Sequence, residues 1–146
     1  MNVGQVCSRP PVTATASSSL MDVAALMREH NVGAVIITKA PLDRPIAVGV
    51  VTDRDIVQAQ LDRTADLTAI AAEQVMSRNP LEILADSDID EAIQRMRANG
   101  VRRAPVVAAD GSLIGMVSVD DLITCIAEEL IGVATVLARQ ARSRAA

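Results

Sequence analysis

The chain has 146 residues, a formal charge of −4 and an apolar fraction of 50%, with no Phe, Trp or Tyr. That size suits one compact domain or two joined half-domains; a half of about 60 residues buries too little surface to stand alone, so two halves are expected to share a core. The acidic balance and the lack of aromatic rings speak against modules that capture nucleic acid by charge or by base stacking, so no nucleic-acid partner is expected.

Internal repetition organises the chain. Gln5-Val6-Cys7-Ser8-Arg9-Pro10-Pro11 aligns with Gln74-Val75-Met76-Ser77-Arg78-Asn79-Pro80 at an offset of 69 residues. The register continues through Ser18 and Ser87, Leu20 and Ile89, Met27 and Met96, Arg28 and Arg97, and Val32 and Val101. The first copy then carries three extra residues within Ala40-Pro41-Leu42-Asp43-Arg44-Pro45, which leaves Gly49 and Gly115 at an offset of 66. The expected organisation is a first repeat over residues 1–66 and a second over 67–146, related by approximate two-fold symmetry.

Each copy predicts a short extended piece (Val12 to Thr15, Glu82 to Leu84) and then a helix. Leu20, Val23, Ala24 and Met27 share one helical face, and Ile89, Ala92, Ile93 and Met96 repeat it. Ser19 with Asp22, and Asp88 with Glu91, have capping spacing, while Asn99-Gly100 is a helix stop. Apolar strands follow at Ala34 to Ile37 and Ala104 to Val107. Pro41 and Pro45 mark a loose loop in the first copy, and Ala109-Asp110-Gly111-Ser112 a hairpin turn in the second. Returning strands span Ile46 to Val51 and Leu113 to Val117, and a closing helix follows each. The first runs from Asp53 to Leu61 and hands over through Asp62 to Glu73; the second runs from Val119 to near Arg142. Leu122, Ile126, Leu130, Val133 and Leu137 form a stripe on the long helix, with Ile123, Ile131 and Val136 off it. Such a helix is expected to pack beyond its own half, on a homodimer partner; folding back on its own repeat is the alternative. Arg139, Arg142 and Arg144 suit a solvated helix end.

Cys7 and Cys125 have neither metal nor disulfide spacing and are expected as reduced thiols of a cytoplasmic protein. His30 belongs to a helix end. No basic-then-apolar leader and no run of about 18 apolar residues is visible, so neither secretion nor a membrane span is expected.

The chemistry rests on a repeated turn, Gly49-Val50-Val51-Thr52-Asp53-Arg54-Asp55 and Gly115-Met116-Val117-Ser118-Val119-Asp120-Asp121. Thr52 with Asp55, and Ser118 with Asp121, have capping-box spacing, which suffices to explain either turn alone. A helix start after a strand also offers amides and a positive dipole end to an anion, and a carboxylate there can accept two bonds from a ribose diol. Arg102 and Arg103 lead into the second copy's strand, and Arg54 lies inside the first turn; each can pair with phosphate oxygens. Together these features point to nucleotide binding.

The combination resembles the CBS domain family, regulatory modules named after cystathionine beta-synthase, over nearly the whole chain. The resemblance implies an α+β fold: a tandem pseudo-two-fold pair of β-α-β-β-α units, sheets packed together, with a long C-terminal helix. It implies clefts between the halves that take adenosine-containing ligands such as AMP, ADP, ATP or S-adenosylmethionine, with NAD a further possibility. By position it assigns Asp55 and Asp121 to ribose hydroxyls, with Thr52 and Ser118 lining the same pockets. Arg54 and Asp120 fall near ribose or phosphate, Arg103 with Arg102 beside it contacts phosphate, and Ser18 and Ser87 lie near the adenosine. The first copy departs from the pattern, having Gly33-Ala34 where the second has Arg102-Arg103. Asp120 could repel a polyphosphate, so the two sites are expected to differ in affinity.

The expected function is a non-enzymatic, stand-alone sensor that binds an adenine nucleotide and signals by a change of shape to an unknown protein partner. The alternative is an interaction scaffold with vestigial sites. An enzyme is not expected: there is one His, two scattered Cys, no metal-ligand spacing and no Walker-type phosphate loop. No catalytic residue, metal or required cofactor is therefore assigned.

Overall fold

The structure, a computed structural model, describes residues 1–39, 43–62 and 66–145, with side chains in the last helix as far as Arg142. Ala40, Pro41 and Leu42 of the expected loop, residues 63–65 of the hand-over and the Arg144 side chain lie outside the described residues.

The chain opens on an element the periodicity did not announce, a one-turn helix α1 (Val3–Val6) closed by a capping box between Asn2 and Gln5. β1 (Thr13–Thr15) runs parallel to β2 (Ala34–Lys39), which pairs antiparallel with β3 (Ile46–Thr52). Helix α2 (Leu20–His30) lies between β1 and β2, and α3 (Asp53–Asp62) follows β3 directly. After two short 3₁₀ turns (Leu67–Ala69, Ala72–Gln74) and β4 (Ser77–Arg78), the pattern repeats: β5 (Ile83–Leu84), α4 (Ile89–Asn99), β6 (Arg103–Val107), β7 (Leu113–Ser118) and α5 (Val119–Ala145). The sheets order as β1-β2-β3-β4 and β5-β6-β7.

The connecting segments are exchanged between the repeats. Val3 is fully buried in the second repeat's core, and the amides of Val3 and Gly4 donate to the carbonyls of Ser87 and Ala85 at 3.0 and 2.8 Å. Ser8 exchanges two backbone bonds with Met116, at 2.8 and 3.2 Å. Conversely, Ile70 and Ala72 are buried in the first repeat's core, the Ala72 amide donates to Ser18 at 2.8 Å, and Ser77 of β4 sits opposite Val50 of β3. Ser8 on Met116 and Ser77 on Val50 are the same relation in the two copies.

Both cores are aliphatic. The first joins Leu20, Val23 and Met27 of α2 to Val35, Ile37, Val51 and Ile56; the second joins Ala92 and Met96 of α4 to Ala104, Val106, Val117 and Leu122. Ala24, Ile89 and Ile93 of the expected helix faces are partly buried. Ser19 caps α2, its hydroxyl accepting the Asp22 amide at 3.1 Å. Asp88 takes the extended backbone of a cap but makes no side-chain capping bond, and its backbone instead bridges to Asn2. The helix stops are left-handed, Asn31 at φ 52° and Gly100 at φ 63°. A Cβ in that region clashes with the carbonyl that follows, and only Gly or Asn tolerates it cheaply. Gly100→Ala is therefore expected to cost about 1 kcal/mol in urea unfolding followed by circular dichroism, and Gly100→Asn, the first copy's choice, less than half of that.

The two hairpin ends meet. Asp110 accepts the Ser112 hydroxyl and amide at 2.6 and 2.9 Å, and Arg44 of the first copy pairs with its carboxylate at 3.6 Å. The Ser112 bonds, with a smaller contribution from Arg44, hold the Asp110 carboxyl below the usual carboxylate range. Helix α5 has 27 residues, roughly 40 Å at 1.5 Å per residue. Leu122 and Cys125 are buried; beyond them the helix does not fold back on its repeat, and its large apolar side chains are exposed.

Candidate functional site

The two strand-to-helix turns set the site. At the first, the Thr52 amide and hydroxyl both donate to Asp55 Oδ2, at 2.8 and 2.9 Å, and the Asp55 amide donates back to Thr52 Oγ1 at 3.3 Å. At the second, the Ser118 amide and hydroxyl donate to Asp121 Oδ2 at 2.8 and 2.7 Å, and the Asp121 amide returns at 3.2 Å. Both capping boxes thus exist, and each engages one carboxylate oxygen. Among the described residues, Oδ1 of neither aspartate accepts a hydrogen bond. Each carboxylate is held rigidly and keeps an acceptor for a ligand.

Glycine opens each turn because an exchanged segment crosses there. A Cβ on Gly49 would run into the Met76 side chain, and one on Gly115 into the Ser8 carbonyl oxygen and Cys7 Sγ. Met76 and Cys7 are equivalent residues, so one packing rule operates twice.

Among the described residues, two clefts set residues of one repeat against the other around these turns. The first, ≈150 Å³, is walled by Met116, Ser118, Asp121 and Arg103 of the second repeat, by Ser8, Pro10, Pro11 and Val12, and by Val32 and Ala34 of the first. A hollow of ≈490 Å³ adjoins it, sharing Ser8, Pro10, Pro11, Val12 and Val32. The second cleft, ≈350 Å³, is walled by Val50, Thr52, Asp53 and Arg54, by Ser77, Pro80 and Leu81, and by Val101, Arg102 and Arg103. Arg103 lines both. Its guanidinium reaches the first repeat over Gly33, where a Cβ would lie 3.3 Å from Arg103 Nη2 and 3.2 Å from Asp53 Oδ2. Gly33, the residue aligned with Arg102, leaves room for that crossing. Among the described residues the only ion pair within 4.0 Å is Arg44–Asp110, so neither Arg102 nor Arg103 is in salt-bridge contact with a carboxylate, although Asp53 and Asp121 line the clefts beside them.

The structure therefore brings Ser118, Asp121 and Arg103 together in one cleft, and Thr52, Arg54, Arg102 and Arg103 in the other. Asp55 is not in the second cleft; it lines a separate ≈220 Å³ hollow with Gln58 and Asp62. Asp121 stands between the first cleft and an outer hollow of ≈640 Å³ that includes Cys125 and Glu128. Ser18 closes the turn before α2, its hydroxyl accepting the Thr15 amide at 3.1 Å. Ser87 closes the turn before α4 and is buried. Neither serine lines a cleft. Asp120 is exposed, and its carbonyl accepts the Thr124 hydroxyl at 2.9 Å.

Sequence reasoning missed the crossing segments as walls. Their signal was present in the repeated Ser-Arg-x-Pro of Ser8 to Pro11 and Ser77 to Pro80. Its arginines pin the segments: Arg78 donates to the Glu73 carbonyl at 2.9 Å, and Arg9 donates to the equivalent Gly4 carbonyl. Among the described residues no group of three or more His, Cys, Asp or Glu could hold a metal ion, and no helix is long and apolar enough to cross a membrane.

The CBS domain family model matches residues 3–62 and 72–128. The uncharacterized protein MK0525 of Methanopyrus kandleri is 32% identical over 123 residues, which are 84% of this chain and 61% of that protein; the chain thus spans about three-fifths of that relative. Among solved structures, the CBS domain protein PAE2072 from Pyrobaculum aerophilum, complexed with AMP, is 27% identical with a TM-score of 0.73 over 83% of this chain and 89% of that one. The CBS domain pair of protein MJ0100, in complex with 5′-methylthioadenosine and S-adenosyl-L-methionine, is 25% identical with a TM-score of 0.76 over 88% of this chain and 98% of that one. With both repeats matched and the paired architecture shared, the chain belongs to the CBS domain family, as a tandem CBS pair.

Proposed function

We propose that the chain is a regulatory module of the cytoplasm, working by binding rather than turnover, that holds an adenosine-containing ligand between its repeats and passes occupancy to a protein partner. The observation that carries this is the convergence of Ser118, Asp121 and Arg103 on one cleft. Asp121 offers Oδ1 to a ribose diol, Arg103 offers a fork of donors to a phosphate, and Pro10, Pro11, Val12 and Val32 offer an apolar wall for a purine in the adjoining hollow. AMP in PAE2072, and methylthioadenosine with S-adenosylmethionine in MJ0100, support the ligand class. Two arginines with no salt-bridge contact favour a phosphate over the cationic sulfonium of S-adenosylmethionine, so AMP, ADP or ATP is the expected ligand. With Asp55 outside the second cleft and Arg103 shared, one ligand per chain is expected.

The scaffold reading draws on the exposed apolar length of α5. Thermal unfolding followed by circular dichroism separates the two with a panel of AMP, ADP, ATP, S-adenosylmethionine and NAD. A ligand held by the native state at 100 times its Kd adds about 2.7 kcal/mol of stability, and a vestigial site adds nothing. Asp121→Ala is expected to weaken AMP binding about tenfold, or about 1.4 kcal/mol, in titration calorimetry. Asp55→Ala deletes the same kind of cap but no cleft wall, and should leave AMP affinity within about twofold. Equal losses in the two variants would reduce Asp121 to a helix cap.

A further inference from the structure

We infer that the second cleft is a site for an oligophosphate anion of the pyrophosphate class, and not for a nucleoside. The phosphates arrive either as free pyrophosphate or as the β,γ tail of a nucleotide whose sugar sits in the first cleft. The assignment stands on the second cleft's own residues and not on nucleotide binding in the first.

The apolar walls of the two clefts are aligned: Pro80, Leu81 and Val101 stand in the second where Pro11, Val12 and Val32 stand in the first. The polar halves differ. The first cleft holds one carboxylate, Asp121, and one guanidinium, Arg103. The second gathers the guanidiniums of Arg54, Arg102 and Arg103 against the single carboxylate of Asp53, in a chain whose formal charge is −4. Like charges held together in a concave, partly apolar site repel one another, and an anion carrying two or more charges relieves that repulsion. Among the described residues none of the three guanidiniums makes an ion pair or a hydrogen bond. Their planar forks of donors match phosphate oxygens.

A sugar finds no acceptor there. Asp55 commits Oδ2 to its capping box and opens on the separate hollow with Gln58 and Asp62. Asp53 does not replace it. Its Oδ1 accepts the Arg54 amide at 2.8 Å. Its Oδ2 faces Arg103 across Gly33, where an added Cβ would lie 3.2 Å from Asp53 Oδ2 and 3.3 Å from Arg103 Nη2. Asp53 is therefore the anion with which an incoming phosphate competes for Arg103.

Calorimetry of the full chain with pyrophosphate, in magnesium-free buffer, tests the assignment. Saturable binding is expected, and Arg54→Ala should weaken it about tenfold, the loss of one charge-assisted contact. Asp53→Asn keeps the oxygen that accepts the Arg54 amide and removes the competing charge, so pyrophosphate should bind about threefold more tightly. A merely structural role for Asp53 would give no such gain. Asp121→Ala, in the first cleft, should not weaken pyrophosphate binding. ATP and AMP on the Arg54→Ala protein then identify the source. A larger loss for ATP assigns the cleft to a nucleotide's tail, and equal losses with pyrophosphate still bound by the wild-type chain assign it to the free anion. The proposal is overturned by absent pyrophosphate binding together with equal losses for ATP and AMP. It is also overturned if Arg54→Ala leaves pyrophosphate affinity unchanged, if Asp53→Asn weakens it, or if Asp121→Ala weakens it as much as Arg54→Ala does. Should AMP fail to bind at all, the nucleotide reading falls while the pyrophosphate titrations still decide this one.

Discussion

Gly115→Ala is expected to lower the unfolding free energy by about 3 kcal/mol, since overpacking a filled site costs roughly 1–3 kcal/mol and occasionally more. The added Cβ would collide with the Ser8 carbonyl oxygen, a backbone atom, and would sit 3.2 Å from Cys7 Sγ and 3.3 Å from Arg9 Cγ. Ser8 cannot retreat without losing its two backbone bonds to Met116, at 2.8 and 3.2 Å, each worth about 1 kcal/mol net. Gly49→Ala makes a useful contrast. Its Cβ meets Met76 Sδ and Cγ, the flexible end of a side chain that can rotate, with Met76 Cβ at 3.0 Å. That variant is expected to cost about 1 kcal/mol. In thermal unfolding the difference appears as a melting temperature lower by roughly 4–8 °C for Gly115→Ala than for Gly49→Ala. Equal shifts would show that the crossing at Gly115 yields as readily as a methionine side chain.

Arg103→Ala is expected to weaken AMP binding about 30-fold, or about 2 kcal/mol, while adenosine affinity changes less than about threefold. The selectivity of the loss is the point. Arg103 lines both clefts and meets no carboxylate within salt-bridge distance among the described residues, so its charge is available to a phosphate and irrelevant to a nucleoside. Arg103→Lys keeps the charge but not the planar fork and should recover only part of the affinity. Calorimetry with AMP and adenosine on the three proteins checks this. A similar loss for both ligands would mean that Arg103 shapes the cleft without touching phosphate. The titrations also count sites, and saturation near one AMP per chain is expected from a single arginine serving two clefts.

The contrast between Asp121 and Asp55 shows how far a motif reaches. The two turns are alike in sequence and in hydrogen bonding, yet one aspartate borders a cleft between repeats and the other a separate hollow beside α3. Motif matching treats them as equals. Their surroundings differ because the residues across each cleft come from the other repeat, where Val32 and Ala34 face one and Val101, Arg102 and Arg103 the other. The same reasoning accounts for Asp88, whose capping spacing was correct but whose side chain makes no cap while its backbone bridges to Asn2.

What the sequence determined by itself is local and periodic. Apolar faces at helical spacing produced α2 and α4, apolar runs and turn residues produced the paired strands, and the 69- and 66-residue registers declared two copies of one unit. These properties depend on residues within a few positions of one another, or on comparison of the chain with itself. Only the tertiary structure decided that residues 2–8 belong to the second core and residues 67–78 to the first, that Gly49 and Gly115 are small to let those segments cross, and that Arg103 spans both clefts over Gly33. Each of these is a contact between residues far apart in the chain, and steric fit between distant segments leaves no period to read.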